Sequence, residues 1–285
     1  PIRMLADRFN TLQMGIVSTE RILTLLDSTD YIQNNGTIQA DHIEGKIEFS
    51  DVTFAYQEPE WVVKNVSFTV EAGKTCAIVG ATGAGKSSII GLLGRLYDCQ
   101  SGEINIDGVP LTSYEIGSLR KNIAVVLQDV FLFSSSIAYN IHLGDESITQ
   151  DKMVEAAKAV GVHDFILSLP GGYDYEVKER GATLSVGQRQ LISFVRALVH
   201  NPKIIVLDEA TSSVDSETEV LIQQAISTLM KGRTAVVIAH RLSTIRNSDQ
   251  ILVMDKGEIK ERGTQDELLA LDGLYAQLYH LQFRK

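Results

Sequence analysis

Gly80-Ala81-Thr82-Gly83-Ala84-Gly85-Lys86-Ser87 is the stretch from which the rest of the chain can be read. It fits the pattern G-x-x-x-x-G-K-[ST]. The apolar run Thr75-Cys76-Ala77-Ile78-Val79 precedes it, and a helical pattern runs on from Lys86 to about Tyr97. Strand, glycine-rich turn and helix, in that order, form the setting in which such a loop holds phosphate. Glycine has no Cβ, so the backbone can curl tightly with several N–H groups pointing inward. Gly80, Thr82, Gly83, Ala84 and Gly85 are the candidate cradle. The helix beyond adds its positive end. Lys86 is expected to reach the β- and γ-phosphates, the Ser87 hydroxyl to bind Mg²⁺, and Ser88 to line the same site.

A second run, Ile204-Ile205-Val206-Leu207-Asp208-Glu209, is an apolar strand ending in two acids. In P-loop proteins such a strand lies beside the phosphate loop and its aspartate helps to hold Mg²⁺. Asp208 is therefore the candidate metal-side carboxylate. Glu209 points differently and could orient or deprotonate an attacking water. Near-continuous apolar runs recur at Ala235–Ala239 and Ile251–Met254, as expected of strands buried on both faces of a parallel sheet. Lys46–Tyr56 and Val62–Val70 read as earlier strands. Between about Val130 and Leu198 the pattern turns mostly helical, at Lys152–Val160 and Gln188–Val199. The sum is an α/β core with a helical insertion.

Composition narrows the function. Of 285 residues, 44% are hydrophobic and 22% charged, ample for a folded core, and the formal net charge is −10. An acidic chain is ill suited to non-specific nucleic-acid binding, so any polyanion must be held by a local device. Cys76 and Cys99 give neither metal spacing nor a disulfide framework and fit a reducing compartment. No stretch approaches the roughly 20 apolar residues of a membrane span. The chain starts at Pro1 and reads as a piece of a longer polypeptide. Residues 1–27 have near-helical apolar spacing, and the polar residues 28–45 read as a linker.

Leu184-Ser185-Val186-Gly187-Gln188 lies upstream of Asp208. Together with the two elements above, it resembles the L-S-G-G-Q signature of ABC-type ATPases. Gln128, after the apolar run Ile123–Leu127, resembles the family's Q-loop glutamine; Ser212-Ser213-Val214-Asp215 its D-loop; His240 its switch histidine; and Tyr56 its adenine-stacking aromatic. Phe131–Ile137, Asp164–Asp174 and Glu179-Arg180-Gly181 are similar to exporter ATP-binding domains. Residues 1–27 resemble the segment that joins an exporter's last transmembrane helix to that domain.

The resemblance implies a P-loop NTPase core, a mostly parallel sheet with helices. An antiparallel β subdomain and a helical subdomain at about 129–198 would complete the domain at 46–285. It also implies ATP and Mg²⁺, and a head-to-tail dimer with a second ABC ATP-binding domain from the same or a related chain. Transmembrane domains of the same polypeptide and a place on the cytoplasmic face of a membrane would follow, with no nucleic acid as partner. Glu209, His240 and Gln128 would be catalytic, with His240 holding Glu209 and contacting the γ-phosphate. Ser87, Gln128 and Asp208 would face the metal. Tyr56 would stack on adenine, Ser185, Gly187 and Gln188 would face a nucleotide held by the partner, and Asp215 would communicate across the dimer. Val186 departs from the signature by replacing its first glycine. If that position needed positive φ, a β-branched residue would strain it; with Ser185, Gly187 and Gln188 retained, a modest effect is expected. A soluble ABC ATPase acting on nucleic acid or the ribosome would be expected to carry long insertions or a basic surface. A P-loop kinase would have no use for residues like Leu184–Gln188 or His240.

Overall fold

The computed structural model describes residues 1–28, 32–208, 215–239 and 242–283. Residues 1–33 and 34–285 form two separate compact units. In the first, α1 (Ile2–Leu26) buries none of its residues. Thr11, Thr19 and Thr24 donate their hydroxyls to the carbonyls four residues back, each at 2.8 Å. Among the described residues no helix is long and apolar enough to cross a membrane.

The second unit opens with β1 (Ile47–Ala55), β2 (Trp61–Val70) and β3 (Thr75–Gly80). Then come α2 (Lys86–Leu93), β4 (Ser101–Ile106), β5 (Val109–Pro110), α3 (Ile116–Asn122) and β6 (Ile123–Val126). The helical stretch is built from α4 (Ile137–His142), α5 (Gln150–Val160), α6 (His163–Ser168) and α7 (Val186–Val199). After it come β7 (Ile204–Asp208), α8 (Ser216–Met230), β8 (Thr234–Ile238), α9 (Leu242–Arg246), β9 (Gln250–Asp255), β10 (Glu258–Gly263), α10 (Gln265–Ala270) and α11 (Leu274–Phe283).

One sheet runs β10-β9-β3-β8-β7-β6 and the other β2-β1-β4-β5. In the larger sheet every pairing is parallel except that of β10 with β9. Its strands explain their own composition. Ala77, Val79, Ile205, Leu207, Ala235 and Val237 face one core, shared with α5, α7 and α8. Their neighbours Cys76, Ile78, Ile204, Val206, Val236 and Ile238 face the other, shared with α2 and the antiparallel sheet. With both faces covered, alternation of polar and apolar residues disappears and the run becomes continuously apolar.

Two expectations are corrected here. The helix after the glycine-rich loop ends at Leu93 rather than near Tyr97. Arg95 takes φ 48°, its N–H donates to Leu92 O at 3.0 Å, and the Leu96 N–H donates to Gly91 O at 2.8 Å. This is a Schellman closure that stops the helix and turns the chain back. Residues 34–45, read as part of a linker, are seated on the folded unit. Ala40 and Ile43 are buried, and the Asp107 carboxylate accepts from the N–H groups of Glu44, Gly45 and Lys46 at 2.7–3.2 Å.

Candidate active site

The register aligns the carboxyl ends of four strands. Asp208 lies beside Ile238, and Ile238 beside Ile78; Val126 lies beside Leu207. The residues that leave β3, β6 and β7 therefore emerge at one edge of the sheet, where an open α/β sheet binds its ligands. Gly80 ends β3 and Asp208 ends β7. Gln128 is exposed two residues beyond β6.

The loop between β3 and α2 needs its glycines for two distinct reasons. A Cβ on Gly80 would collide with the Met254 carbonyl oxygen on the neighbouring strand. Gly85, the residue before α2, has φ 97°, and a Cβ there would lie 2.6 Å from the Val62 carbonyl oxygen. Thr82 and Gly83 are exposed along the loop, while Ala84 is buried. Lys86 is only 9% exposed, and its Nζ donates to Gly80 O and Ala81 O, both at 2.8 Å. Burial pushes its ammonium below its ordinary pKa, and the Asp208 carboxylate works against that shift. A cation is thus held in a partly desolvated loop, within the field of the carboxylate at the end of β7, one strand removed from β3. There its field acts at close range despite the acidic net charge. Ser87 presents an exposed hydroxyl in the first turn of α2.

Tyr56 lies just past β1 and is 53% exposed. Its ring is perpendicular to Phe54, at 4.9 Å, and to Tyr97, at 5.1 Å. Its hydroxyl shares a 3.1 Å hydrogen bond with Ser88 Oγ on α2. Tyr97 was not expected from the sequence. The sequence reading places it at the end of the helix that follows the glycine-rich loop, whereas the turn after Leu93 brings it here.

Ser185 is the N-cap of α7. Its Oγ accepts from Gln188 N at 3.2 Å, and Gln188 Oε1 accepts from Ser185 N at 2.9 Å, a complete capping box. Val186 is the first residue of the helix, 43% exposed, and is absent from the described residues with positive φ. The departure from glycine therefore puts no strain on this backbone. Gly187 is buried within the same first turn. The bonds of Arg189 to Gly181 O (3.4 Å) and Leu184 O (2.8 Å) keep the loop folded on itself. Among the described residues, none of these bonds reaches residues 80–88. Asp215 is the N-cap of α8, accepting from Thr218 N at 2.9 Å. Glu209, Ser212, Ser213, Val214 and His240 lie outside the described residues.

Phe131 and Phe133 are half-exposed. With Leu127, Leu143, Arg196 and His200 they line a cavity of about 550 Å³. The fully buried Asn140 grips the Phe133 backbone through both its N–H (2.7 Å) and its C=O (3.0 Å). Arg196, on α7, donates to Asn140 O at 2.7 Å and to Phe131 O at 3.2 Å.

Residues 63–212, more than half of the chain, match the family model described as "ABC transporter". The chain belongs to the ABC transporter family. Among curated relatives, this ABC transporter chain is 49% identical over 284 residues to an uncharacterized ABC transporter ATP-binding protein, YknV, of Bacillus subtilis (strain 168), covering 99% of the chain and 47% of the relative. It is 43% identical over 286 residues to an ATP-dependent lipid A-core flippase of Syntrophus aciditrophicus (strain SB), covering 100% and 47%. It also aligns with the structure of a bacterial Atm1-family ABC exporter with ATP bound, with a TM-score of 0.85 and 39% identity over 100% of this chain and 50% of that one. The ABC transporter chain thus spans about half the length of these relatives, and its fold is that of the family's ATP-binding domain.

Proposed function

We propose that this chain binds MgATP and hydrolyses it to drive export by a membrane-embedded ABC transporter. The observation that carries the proposal is the Lys86 ammonium, buried in a glycine-built loop and bonded, among the described residues, to that loop's own carbonyls at 2.8 Å. A γ-phosphate entering the loop would replace those weak acceptors with a full charge. The ATP-bound exporter of the same fold supports the choice of nucleotide.

The donor chemistry fits Mg²⁺. Ser87 and Asp208 offer hard oxygen ligands, and among the described residues no cluster of three His, Cys, Asp or Glu side chains forms a complete protein cage. Mg²⁺ takes one or two carboxylates and fills its other positions with phosphate oxygens and water. Bound there, it would supply charge neutralisation for phosphoryl transfer. Lys86 would hold the γ-phosphate and stabilise the charge that builds on it. Glu209, next after Asp208, would accept the proton of the attacking water, while His240 would keep Glu209 in place. Gln128 would contact the metal or the water from the end of β6. Tyr56 would stack on adenine.

The loop 184–188, exposed at Ser185 and Val186, closes on itself, so its contact with nucleotide would come in a head-to-tail dimer, where Ser185, Gly187 and Gln188 face the partner's ATP. Asp215 would lie at the dimer seam. The half-exposed Phe131 and Phe133, held by Asn140 and Arg196, fit a surface that grips membrane domains of the same polypeptide. Residues 1–27 would extend from the last membrane helix. ATP would close the dimer and hydrolysis would reopen it, moving the membrane domains between two states.

Glu209→Gln tests the reading. The variant should bind ATP as the parent does, lose hydrolysis, and accumulate as an ATP-bound dimer in size-exclusion chromatography. Unchanged turnover would remove Glu209 from its role.

A further inference from the structure

Tyr56 is unusually constrained for a half-exposed side chain. Two rings perpendicular to it, themselves 5.5 Å apart, and the Ser88 hydroxyl restrain it. Phe54 is buried in the core, and Ser88 is 4% exposed on the phosphate-loop helix. Tyr97 stands apart: it is partly exposed and lies at no strand end or helix face that would place it beside Tyr56. The fold delivers it there. The Schellman turn at Gly94–Leu96 reverses the chain after α2. The Tyr97 ring then lies over Gly91, its Cδ2 only 3.3 Å from where a Gly91 Cβ would stand. It also tilts against Phe54 at 5.5 Å. An aromatic trio is therefore assembled from β1, the residue beyond β1 and the turn after α2, and a glycine on α2 leaves the space for it.

We propose that Tyr97 is a positioning residue for base recognition: it fixes the Tyr56 ring in the orientation that receives adenine, before nucleotide arrives. The inference rests on the adenine-stacking reading of Tyr56. A free Tyr56 ring would lose rotamer freedom on binding; a ring already held by Tyr97 has lost it beforehand, so less is subtracted from affinity. The ring of Tyr97 makes this contact through its aromatic edge and face. Its hydroxyl is not needed.

The test is isothermal titration of the full chain with MgATP and with magnesium tripolyphosphate, which has the phosphates but no base. Tyr97→Ala should weaken ATP binding by about fivefold, the scale of one edge-to-face pair, and leave tripolyphosphate binding unchanged. Tyr97→Phe should restore the parent's ATP affinity. Gly91→Ala, which would push the Tyr97 ring aside without touching it chemically, should weaken ATP in the same base-dependent way. If Tyr97→Ala does not fold, Tyr97→Leu, which keeps most of the volume and loses the aromatic ring, is read in its place with the same expectation. The inference is overturned if the ratio of ATP to tripolyphosphate affinity is unchanged in the Tyr97 variant while Tyr56→Ala collapses it. An equal weakening of both ligands, marking a structural role only, overturns it too. If Tyr56→Ala also leaves the ratio unchanged, the adenine-stacking reading itself fails.

Discussion

Two loops of this chain carry candidate nucleotide-facing residues, and they are built in opposite ways. The phosphate loop at 80–87 is wedged between strands. Its glycines touch the Met254 and Val62 carbonyls, and its lysine is buried against its own backbone. The loop at 184–188 is anchored by the buried Leu184 and Gly187 and opens to solvent at its tip. Its polar groups are satisfied by the capping box and by Arg189, and Ser185 and Val186 are exposed. The first is closed by contacts made inside one chain. The second is a preformed helix end whose bonds, among the described residues, do not reach residues 80–88. The contrast teaches that two loops can be equally well satisfied, one by burial and one by its own capping bonds, and still differ in what they leave open to solvent.

The strongest way to break the comparison is at Lys86. Lys86→Ala should lower ATP hydrolysis by about 100-fold or more, the scale seen on losing a preorganised charge or donor at a reacting centre; steady-state phosphate release measures it. Retained turnover would mean that the buried ammonium is structural. Gly85→Ala comes next. The residue would have to hold φ 97° with its methyl 2.6 Å from Val62 O. The expected cost is about 2 kcal/mol in urea unfolding, with weakened nucleotide binding. Ser185→Ala should cost about 1 kcal/mol through the lost cap. It should leave ATP affinity at the chain's own loop intact while reducing ATP-dependent dimerisation by sedimentation velocity. A fall in monomer affinity would erase the distinction between the two loops.

The smallest effect concerns what the phosphate loop stands on. Cys76, in β3 beneath it, is fully buried, and burial pushes its thiol from 9.0 up to about 12. The unfolded chain therefore loses this proton from about pH 9, while the folded chain keeps it until near pH 12. The stability this group confers is present below pH 9 and declines as pH rises above it. Thermal unfolding between pH 8 and about 10.5 should show the decline, with a gentler slope in Cys76→Ala.

The parallel core was legible because burial on both faces leaves a plain mark: Ile204–Leu207 and Ala235–Ala239 have no polar register. The phosphate loop was legible because its glycines, lysine and serine follow one another without a gap. The capping box at Ser185 could have been read from its S-x-x-Q spacing. Harder to see were Ala40 and Ile43, two apolar residues in a polar stretch whose burial depends on docking to a distant part of the unit. The end of α2 was misplaced because a non-glycine residue, Arg95, takes the left-handed conformation that glycine usually marks.

Sequence alone therefore determined the chemistry offered, namely which residues can cradle phosphate, carry charge or cap a helix, because those properties belong to side chains and their immediate neighbours. Tertiary structure alone decided the company they keep: Tyr97 against Tyr56, Asn140 and Arg196 behind the two phenylalanines, Asp208 within the field of Lys86. Such pairings join residues up to 122 positions apart in the chain. Their energies depend on distance and burial, which only the folded path of the backbone sets.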